Sequence, residues 1–231
     1  YRLIDFALSS MVNSGVNQVG IMLPDEPRSV LDHLRSGKDW DLARRHEGMF
    51  YLPPAKGDKD TRPGDLKTFY QNIDFVEHSA QKYVLLANAS YIYNMNFAPV
   101  LRFHQNTNAD ITMVYNIAKE EVPGESVVIE TAENGLVEDI AMKPVVYQGS
   151  KVSNGVLLME KRMVRSTYEH GGTDLVLDGI IRRADHYTMY GCMHEGYTAC
   201  VASTASYYRA NMEALEPANW DELFMQNGFI F

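Results

Sequence analysis

Short apolar runs alternate along this chain with segments of helical periodicity, and this alternation constrains the fold more than any other feature. The run YVLLA at 83–87 is apolar throughout, which is typical of a strand buried on both faces of a sheet. The segment 65–78 places apolar side chains at i, i+3, i+4, i+7 and i+10, the spacing of an amphipathic helix. Strands that alternate with helices predict an α/β fold.

The same patterns predict the remaining elements. Further strands are expected at 19–23, 109–117, 155–159, 186–193 and 197–202. Helices are expected at 96–105, 161–169, 175–183 and 203–215, the last with Ser203 or Thr204 as its N-cap. Asn134-Gly135 lies between two β-rich runs, and Asn-Gly in that position predicts a hairpin. We therefore expect a mixed, mainly parallel sheet with an antiparallel insert.

Two stretches carry the composition of connecting segments. Residues 53–64 are rich in Pro, Gly and charge, which predicts a surface loop. Residues 216–220 contain Pro217 and are expected to be a linker that leaves the domain. The predicted organisation is therefore one domain at 1–215, followed by a linker at 216–231.

Composition argues against several classes of partner. The formal net charge is −9, and there is no cluster of Lys and Arg of the kind that binds a phosphate backbone, so no nucleic acid is expected. No apolar run approaches the roughly 20 residues needed to span a bilayer, so no membrane is expected. The two cysteines, Cys192 and Cys200, argue against a disulfide scaffold and favour a reducing, cytoplasmic location.

Four candidate zinc ligands fall within fifteen residues: His186, Cys192, His194 and Cys200. Cys192 and His194 are two residues apart, so they would share a face of a strand. A structural zinc site favours closer pairs, such as two cysteines separated by two to four residues. We therefore favour two buried thiols beside a surface histidine and expect no metal site.

Lys143 and the tripeptide Ser153-Asn154-Gly155 are the candidate ligand contacts. A lysine at a strand end can hold a phosphate as a point charge, although a solvated lysine is the simpler interpretation. The tripeptide offers a hydroxyl, an amide and a close backbone approach, or is simply a turn. The residues alone therefore indicate an α/β domain with a candidate anion site near Lys143.

The opening block YRLIDFALSSMVNSG at 1–15 resembles the glucose-1-phosphate adenylyltransferases, or ADP-glucose pyrophosphorylases. Further matches follow in the same order at His33-Leu34, Gly37, 40–42, 70–75, 92–95, Lys143-Pro144, 153–155 and Gly196-Tyr197. The tail 220–231 resembles that family's approach to a hexapeptide-repeat β-helix domain. The resemblance implies a Rossmann-like nucleotidyltransferase fold and an activity that joins ATP to glucose 1-phosphate, with magnesium held by two aspartates.

The chain departs from the family pattern where the chemistry is expected. The family's Gly-rich nucleotide loop would precede Tyr1 and is not in this sequence. The resemblance places Ser90 and Cys200 at the two magnesium aspartates, Met142 at a sugar-binding glutamate and Lys67 at a further aspartate. It retains Lys143 and Ser153, so we expect a weak residual sugar-phosphate site at Lys143, Ser153, Asn154 and Gly155, with no catalytic residue and no cofactor.

These departures resemble the family's non-catalytic glycogen-biosynthesis subunits, the GlgD proteins, particularly at 153–162 and 206–212. That resemblance implies a regulatory chain in a hetero-oligomer with a catalytic glucose-1-phosphate adenylyltransferase subunit. One alternative is an active adenylyltransferase with relocated metal ligands. Another is a pseudoenzyme that senses a sugar phosphate or a nucleotide.

Overall fold

The structure is a computed structural model that describes residues 1–44, 47–55, 66–168 and 172–231. It divides into two compact units. The first unit contains Tyr1–Val16, Leu85–Leu158 and Thr188–Phe231, and the second contains Asn17–Val84 and Met159–Tyr187. Each unit is therefore built from segments that are distant in sequence.

Helices and strands alternate along most of the chain. In chain order the elements are α1 (Leu3–Asn13), β1 (Gln18–Met22), α2 (Arg28–Leu34), a 3-10 turn (Lys38–Trp40), β2 (Gly48–Leu52), α3 (Leu66–Gln71), α4 (Ile73–Glu77), β3 (Tyr83–Ala87), β4 (Tyr91–Ile92), α5 (Phe97–Thr107), β5 (Ile111–Ile117), β6 (Val122–Thr131), β7 (Val137–Val146), β8 (Lys151–Glu160), α6 (Lys161–Ser166), a 3-10 helix (Ile181–His186), β9 (Met189–Met193), β10 (Ala199–Cys200), α7 (Thr204–Glu213) and α8 (Pro217–Phe224).

The main sheet has six strands in the order β7-β6-β8-β5-β9, with β3 also paired to β8. Strands β5 and β9 are parallel, with Ile111 opposite Met189. Strands β6 and β7 form an antiparallel hairpin around Asn134-Gly135, with Ile129 opposite Ile140. The α/β class, the mixed sheet and the antiparallel insert are thus confirmed.

The apolar runs are buried to different extents. Strand β5 is buried over its first five residues, which fits a strand covered on both faces. Strand β3, which was predicted to be buried on both faces, is only half-buried along its length. In the second unit, β1 and β2 form a parallel pair, and Leu34, Trp40, Leu66 and Phe69 are buried there. Each unit therefore has apolar side chains removed from water, which is the main favourable term in folding.

The helix predicted at 175–183 is wrong. Residues 175–180 form turns, and a 3-10 helix follows at Ile181–His186. The Asp174 side chain accepts the N–H groups of Val176 and Leu177, at 2.9 and 2.7 Å. An aspartate that bonds local backbone donors in this way competes with helical hydrogen bonds.

The helix predicted at 65–78 is interrupted, and residue 65 lies outside the described part of the chain. It forms as α3 and α4, with Asn72 between them. The Asn72 side-chain amide donates to the carbonyls of Thr68 at 2.8 Å and Pro53 at 2.9 Å. These bonds give the amide local backbone partners at the point where the helix breaks.

The tail beyond residue 215, which was expected to be a linker, contains helix α8 at Pro217–Phe224. Helix α8 begins with Pro217 at its first turn, a position that proline favours. Leu223 and Ile230 pack in a buried cluster with Phe6 and Tyr197. The boundary at 215 and the linker at 216–231 stay predictions, and residues 56–64 of the predicted loop lie outside the described ranges.

Candidate functional site

A cavity of about 740 Å³ lies within the first unit. Its walls include residues 116–120, at the carboxyl end of β5, and residues 193–200, which continue from the carboxyl end of β9. Ligands of open α/β sheets bind outside the carboxyl ends of the strands. The volume lies in the range of roughly 300–1,000 Å³ that holds small ligands, so this cavity is the candidate site.

The structure places Ser90 and Cys200 at neighbouring backbone positions. Strand β4 pairs with β10 in antiparallel fashion, so that Tyr91 is directly opposite Cys200. The Val201 N–H donates to the Ser90 carbonyl at 2.8 Å. The Ser90 N–H in turn donates to the Asn88 side chain at 2.9 Å. Tyr91 and Cys200 both line the cavity.

Strand β8 reaches the same wall at 153–155. Ser153 lines the cavity, and its hydroxyl accepts the Gly155 N–H at 3.3 Å. The Asn88 N–H donates to the Gly155 carbonyl at 2.9 Å. Asn154 is fully buried, and its side-chain amide has no hydrogen-bond partner in the part of the chain that the structure describes. Of the three residues, Ser153 therefore offers its side chain to the cavity.

Glycine is required at 155 for a steric reason. Its φ is +74°, and a Cβ added there would lie 2.8 Å from Tyr91 Cε2 and 2.8 Å from Asn88 Cβ. Real Cβ atoms do not approach other atoms so closely. The absence of a side chain therefore lets the Tyr91 ring lie directly against β8.

The other predicted site residues lie elsewhere. Lys143 is exposed on β7, opposite Ser126 of β6; Ser126 lines the cavity and Lys143 does not. Met142 is half-buried opposite Val127. Lys67 is on α3, in the second unit. The contact of Lys143 with a sugar phosphate stays a prediction.

The cavity has charged side chains that sequence reasoning missed. Its cationic lining residues are Lys119 and Arg209, and Arg209 pairs with Glu120 at 3.5 Å. Lys119 follows the end of β5, and Arg209 is on α7, the helix that follows β10. These two positions were the sequence signals that could have pointed to a cation in the cavity. Glu195 and Glu213 also line the cavity. The two cations could each pair with an anionic ligand, whereas the carboxylates of Glu195 and Glu213 would repel it.

Burial shifts the pKa of several titratable groups in the first unit in the direction that favours their neutral forms. Desolvation lowers the pKa of His194, and the nearby Glu222 and Glu195 only partly oppose it. Burial also raises the pKa of the Tyr197 phenol, whose hydroxyl donates to Glu213 at 2.8 Å. The pKa of the Cys192 thiol is raised by burial as well. Over the described ranges, no group of three or more His, Cys, Asp or Glu is arranged to hold a metal.

Ser90 and Cys200 do not fit a magnesium ion. Magnesium demands oxygen ligands in near-octahedral geometry and is usually held by carboxylates. Cys200 is exposed as a whole residue, but desolvation of its sulfur raises the pKa of the thiol. A neutral thiol and a serine hydroxyl are poor substitutes for two carboxylates.

A mixed α/β sheet with a ligand cavity at its strand ends defines a class of proteins that bind small molecules through the loops following their strands. The sequence model described as nucleotidyl transferase matches residues 1–216. The chain belongs to this nucleotidyl transferase family. Within the described residues, no helix has both the length and the apolar character needed to cross a bilayer.

Individual relatives agree with the family. The glucose-1-phosphate adenylyltransferase of Mycoplasma mobile is 28% identical over 100% of the chain and 63% of the relative. The glycogen biosynthesis protein GlgD of Bacillus subtilis is 29% identical over 97% of the chain and 57% of the relative. The chain thus spans about three fifths of the length of these relatives.

A solved structure agrees with the fold. A putative glucose-1-phosphate thymidylyltransferase from Bacillus anthracis, solved in complex with a sucrose, superposes with a TM-score of 0.74 at 16% identity. The match covers 98% of this chain and 86% of that one. The nucleotidyltransferase fold is thereby confirmed.

Proposed function

We propose that this chain is part of a regulatory, non-catalytic subunit of glucose-1-phosphate adenylyltransferase, the enzyme that forms ADP-glucose and pyrophosphate from ATP and glucose 1-phosphate in glycogen biosynthesis. The observation that carries the proposal is the cavity wall where β4 pairs with β10. Tyr91 on β4 and Cys200 on β10 line this wall, and Ser90 lies in the turn just before β4. The resemblance expects metal-binding aspartates at positions 90 and 200. The likeness to GlgD supports the same role.

The chemistry explains why this wall cannot support turnover. Transfer of a nucleotidyl group places negative charge on the attacking and departing phosphate oxygens, and a bound metal is the usual stabiliser of that charge. Loss of a single preorganised electrostatic contact lowers rates by about 10²–10³-fold. Two missing carboxylates should leave the chain near the background rate.

The active enzyme is the second candidate, because several relatives carry that name. One of them, the glucose-1-phosphate adenylyltransferase of Clostridium botulinum strain Eklund 17B, is 31% identical over 100% of the chain. A pseudoenzyme that senses a sugar phosphate or nucleotide is the third, and the cavity cations Lys119 and Arg209 favour it. Turnover by the chain alone would distinguish the active enzyme from the regulatory subunit. Association with a catalytic subunit would distinguish the regulatory subunit from the sensing pseudoenzyme.

Co-expression tests the proposed partner. The tagged full-length protein is co-expressed with the catalytic glucose-1-phosphate adenylyltransferase subunit of the same organism, and the complex is isolated by affinity and size-exclusion chromatography. We expect the two proteins to elute together as one hetero-oligomer. The steady-state kinetics of this complex should differ from those of the catalytic subunit alone. Separate elution of the two proteins, with unchanged kinetics on mixing, would refute the regulatory role. A cytoplasmic location stays an expectation of the same proposal.

A further inference from the structure

The Tyr91 side chain spans the wall on which the metal site is expected. Its ring lies against Gly155 of β8, where an added Cβ would come within 2.8 Å of Tyr91 Cε2. Tyr91 is directly opposite Cys200 on β10, and both residues line the cavity. One side chain therefore connects β8 to β10 along the cavity.

The turn that precedes Tyr91 holds this position from the backbone side. The Tyr91 N–H donates to the Asn88 carbonyl at 3.3 Å, and the Asn88 N–H donates to the Gly155 carbonyl at 2.9 Å. The pairing of β4 with β10 holds the other side, with Ala199 opposite Ile92. Backbone hydrogen bonds therefore fix the chain on both sides of Tyr91, and they help to hold its ring in place.

We propose that Tyr91 closes this site to divalent cations, so that restoring carboxylates at 90 and 200 is not sufficient to rebuild a metal site. The inference rests on the proposed function, which it deepens by naming the residue that maintains the metal-free state. A carboxylate placed at 200 would be directly opposite Tyr91, whose ring lies against Gly155 of β8. Magnesium keeps several waters in a near-octahedral shell, and the ring occupies the space beside position 200 that this shell needs.

Binding of Mn²⁺ tests the inference without reference to activity or to a partner. Electron paramagnetic resonance measures free Mn²⁺ in the presence of the full-length protein, S90D/C200D, and the triple variant S90D/Y91A/C200D. We expect the double variant to bind no better than the unmodified protein. The triple variant should bind at least about tenfold more tightly, a change typical of metal-site residues. The control is S90D/Y147A/C200D, because Tyr147 is an exposed tyrosine of the same unit, and it should behave as the double variant.

Two outcomes would overturn the inference: tight Mn²⁺ binding by S90D/C200D, or no gain in a folded triple variant. Circular dichroism establishes folding, and Tyr91→Leu replaces Tyr91→Ala if the latter unfolds. A second measurement uses thiol labelling of Cys200 in a C192A chain. Removing the ring should expose the sulfur and accelerate labelling several-fold relative to Y147A, whereas equal rates would show that Tyr91 does not cover this wall. Neither result depends on whether the chain assembles with a catalytic subunit.

Discussion

At the residue scale, the site depends on how closely side chains and backbone approach one another. Gly155 and Tyr91 are in contact because position 155 has no side chain. Asp178, in the second unit, accepts the N–H groups of Thr173 at 2.8 Å and Asp174 at 3.0 Å. Each of these contacts leads to a substitution whose effect has a defined sign.

Gly155→Ala should destabilise the protein more than Gly149→Ala. Both glycines have a positive φ, +74° and +88°, but a Cβ at 149 would meet nothing within 4 Å. Alanine at 149 therefore costs only the left-handed backbone penalty, about 1–2 kcal/mol. Alanine at 155 adds an overpacking cost of about 1–3 kcal/mol. Urea unfolding measures both variants, and equal losses would show that Tyr91 yields without cost.

Asp178→Asn should destabilise the second unit by about 1–2 kcal/mol at pH 7, because it weakens charge-assisted bonds to two backbone donors. Those backbone bonds, from Asp174 first and then Thr173, lower the pKa of Asp178. A lowered folded pKa means that the stabilisation is present above the unfolded pKa, about 3.9, and is lost as the pH falls through the folded value.

The measurement is urea unfolding of both proteins at pH 7 and in steps down to about pH 3. The difference in the free energy of unfolding should narrow in acid. Asp185→Asn is the control, because Asp185 is exposed on the neighbouring 3-10 helix, and it should change stability by less than about 0.5 kcal/mol. A difference that is constant with pH would contradict the role given to the Asp178 carboxylate.

At the element scale, helix α7 places Arg209 and Glu213 on the cavity wall. Its first turn is closed by a reciprocal cap. The Ser203 hydroxyl accepts the Ser206 N–H at 3.1 Å, and the Ser206 hydroxyl accepts the Ser203 N–H at 2.8 Å. Ser206 also lines the cavity, so the cap and the wall share a residue.

Ser203→Ala should lower stability by about 1 kcal/mol, the usual cost of losing an N-cap. Thr204→Ala, one residue further along, keeps the cap and is the control. Hydrogen exchange of the α7 amides measures the local effect, and we expect faster exchange in the Ser203 variant than in the control. Equal protection in both variants would mean that tertiary packing alone holds α7.

The sequence was informative where a local signal determined the structure. The apolar run at 83–87 forms β3 with the predicted bounds, and Ser203, one of the two predicted N-cap candidates, caps α7. The predicted helix at 175–183 failed because Asp174 bonds backbone donors locally, and helical periodicity contains no information about that competition. For the site, Lys119 and Arg209 were missed because only the folded sheet brings them to one cavity.

At the scale of the whole molecule, membership of the nucleotidyl transferase family is shown, whereas the role within it is proposed. The chain covers 63% of the Mycoplasma mobile relative and 57% of the Bacillus subtilis relative. The decisive assay therefore needs the full-length protein. The central claim is that the wall where β4 pairs with β10, with Ser90 and Cys200 at the positions of the expected aspartates, cannot support nucleotidyl transfer.

Pyrophosphate release from ATP and glucose 1-phosphate, measured with the purified full-length protein alone and excess Mg²⁺, tests that claim most directly. The account predicts a rate indistinguishable from a control without protein, and normal turnover by the catalytic subunit of the same organism under identical conditions. A turnover number near that of ordinary enzymes, on the order of 10 per second, would contradict the account and establish the chain as an active glucose-1-phosphate adenylyltransferase.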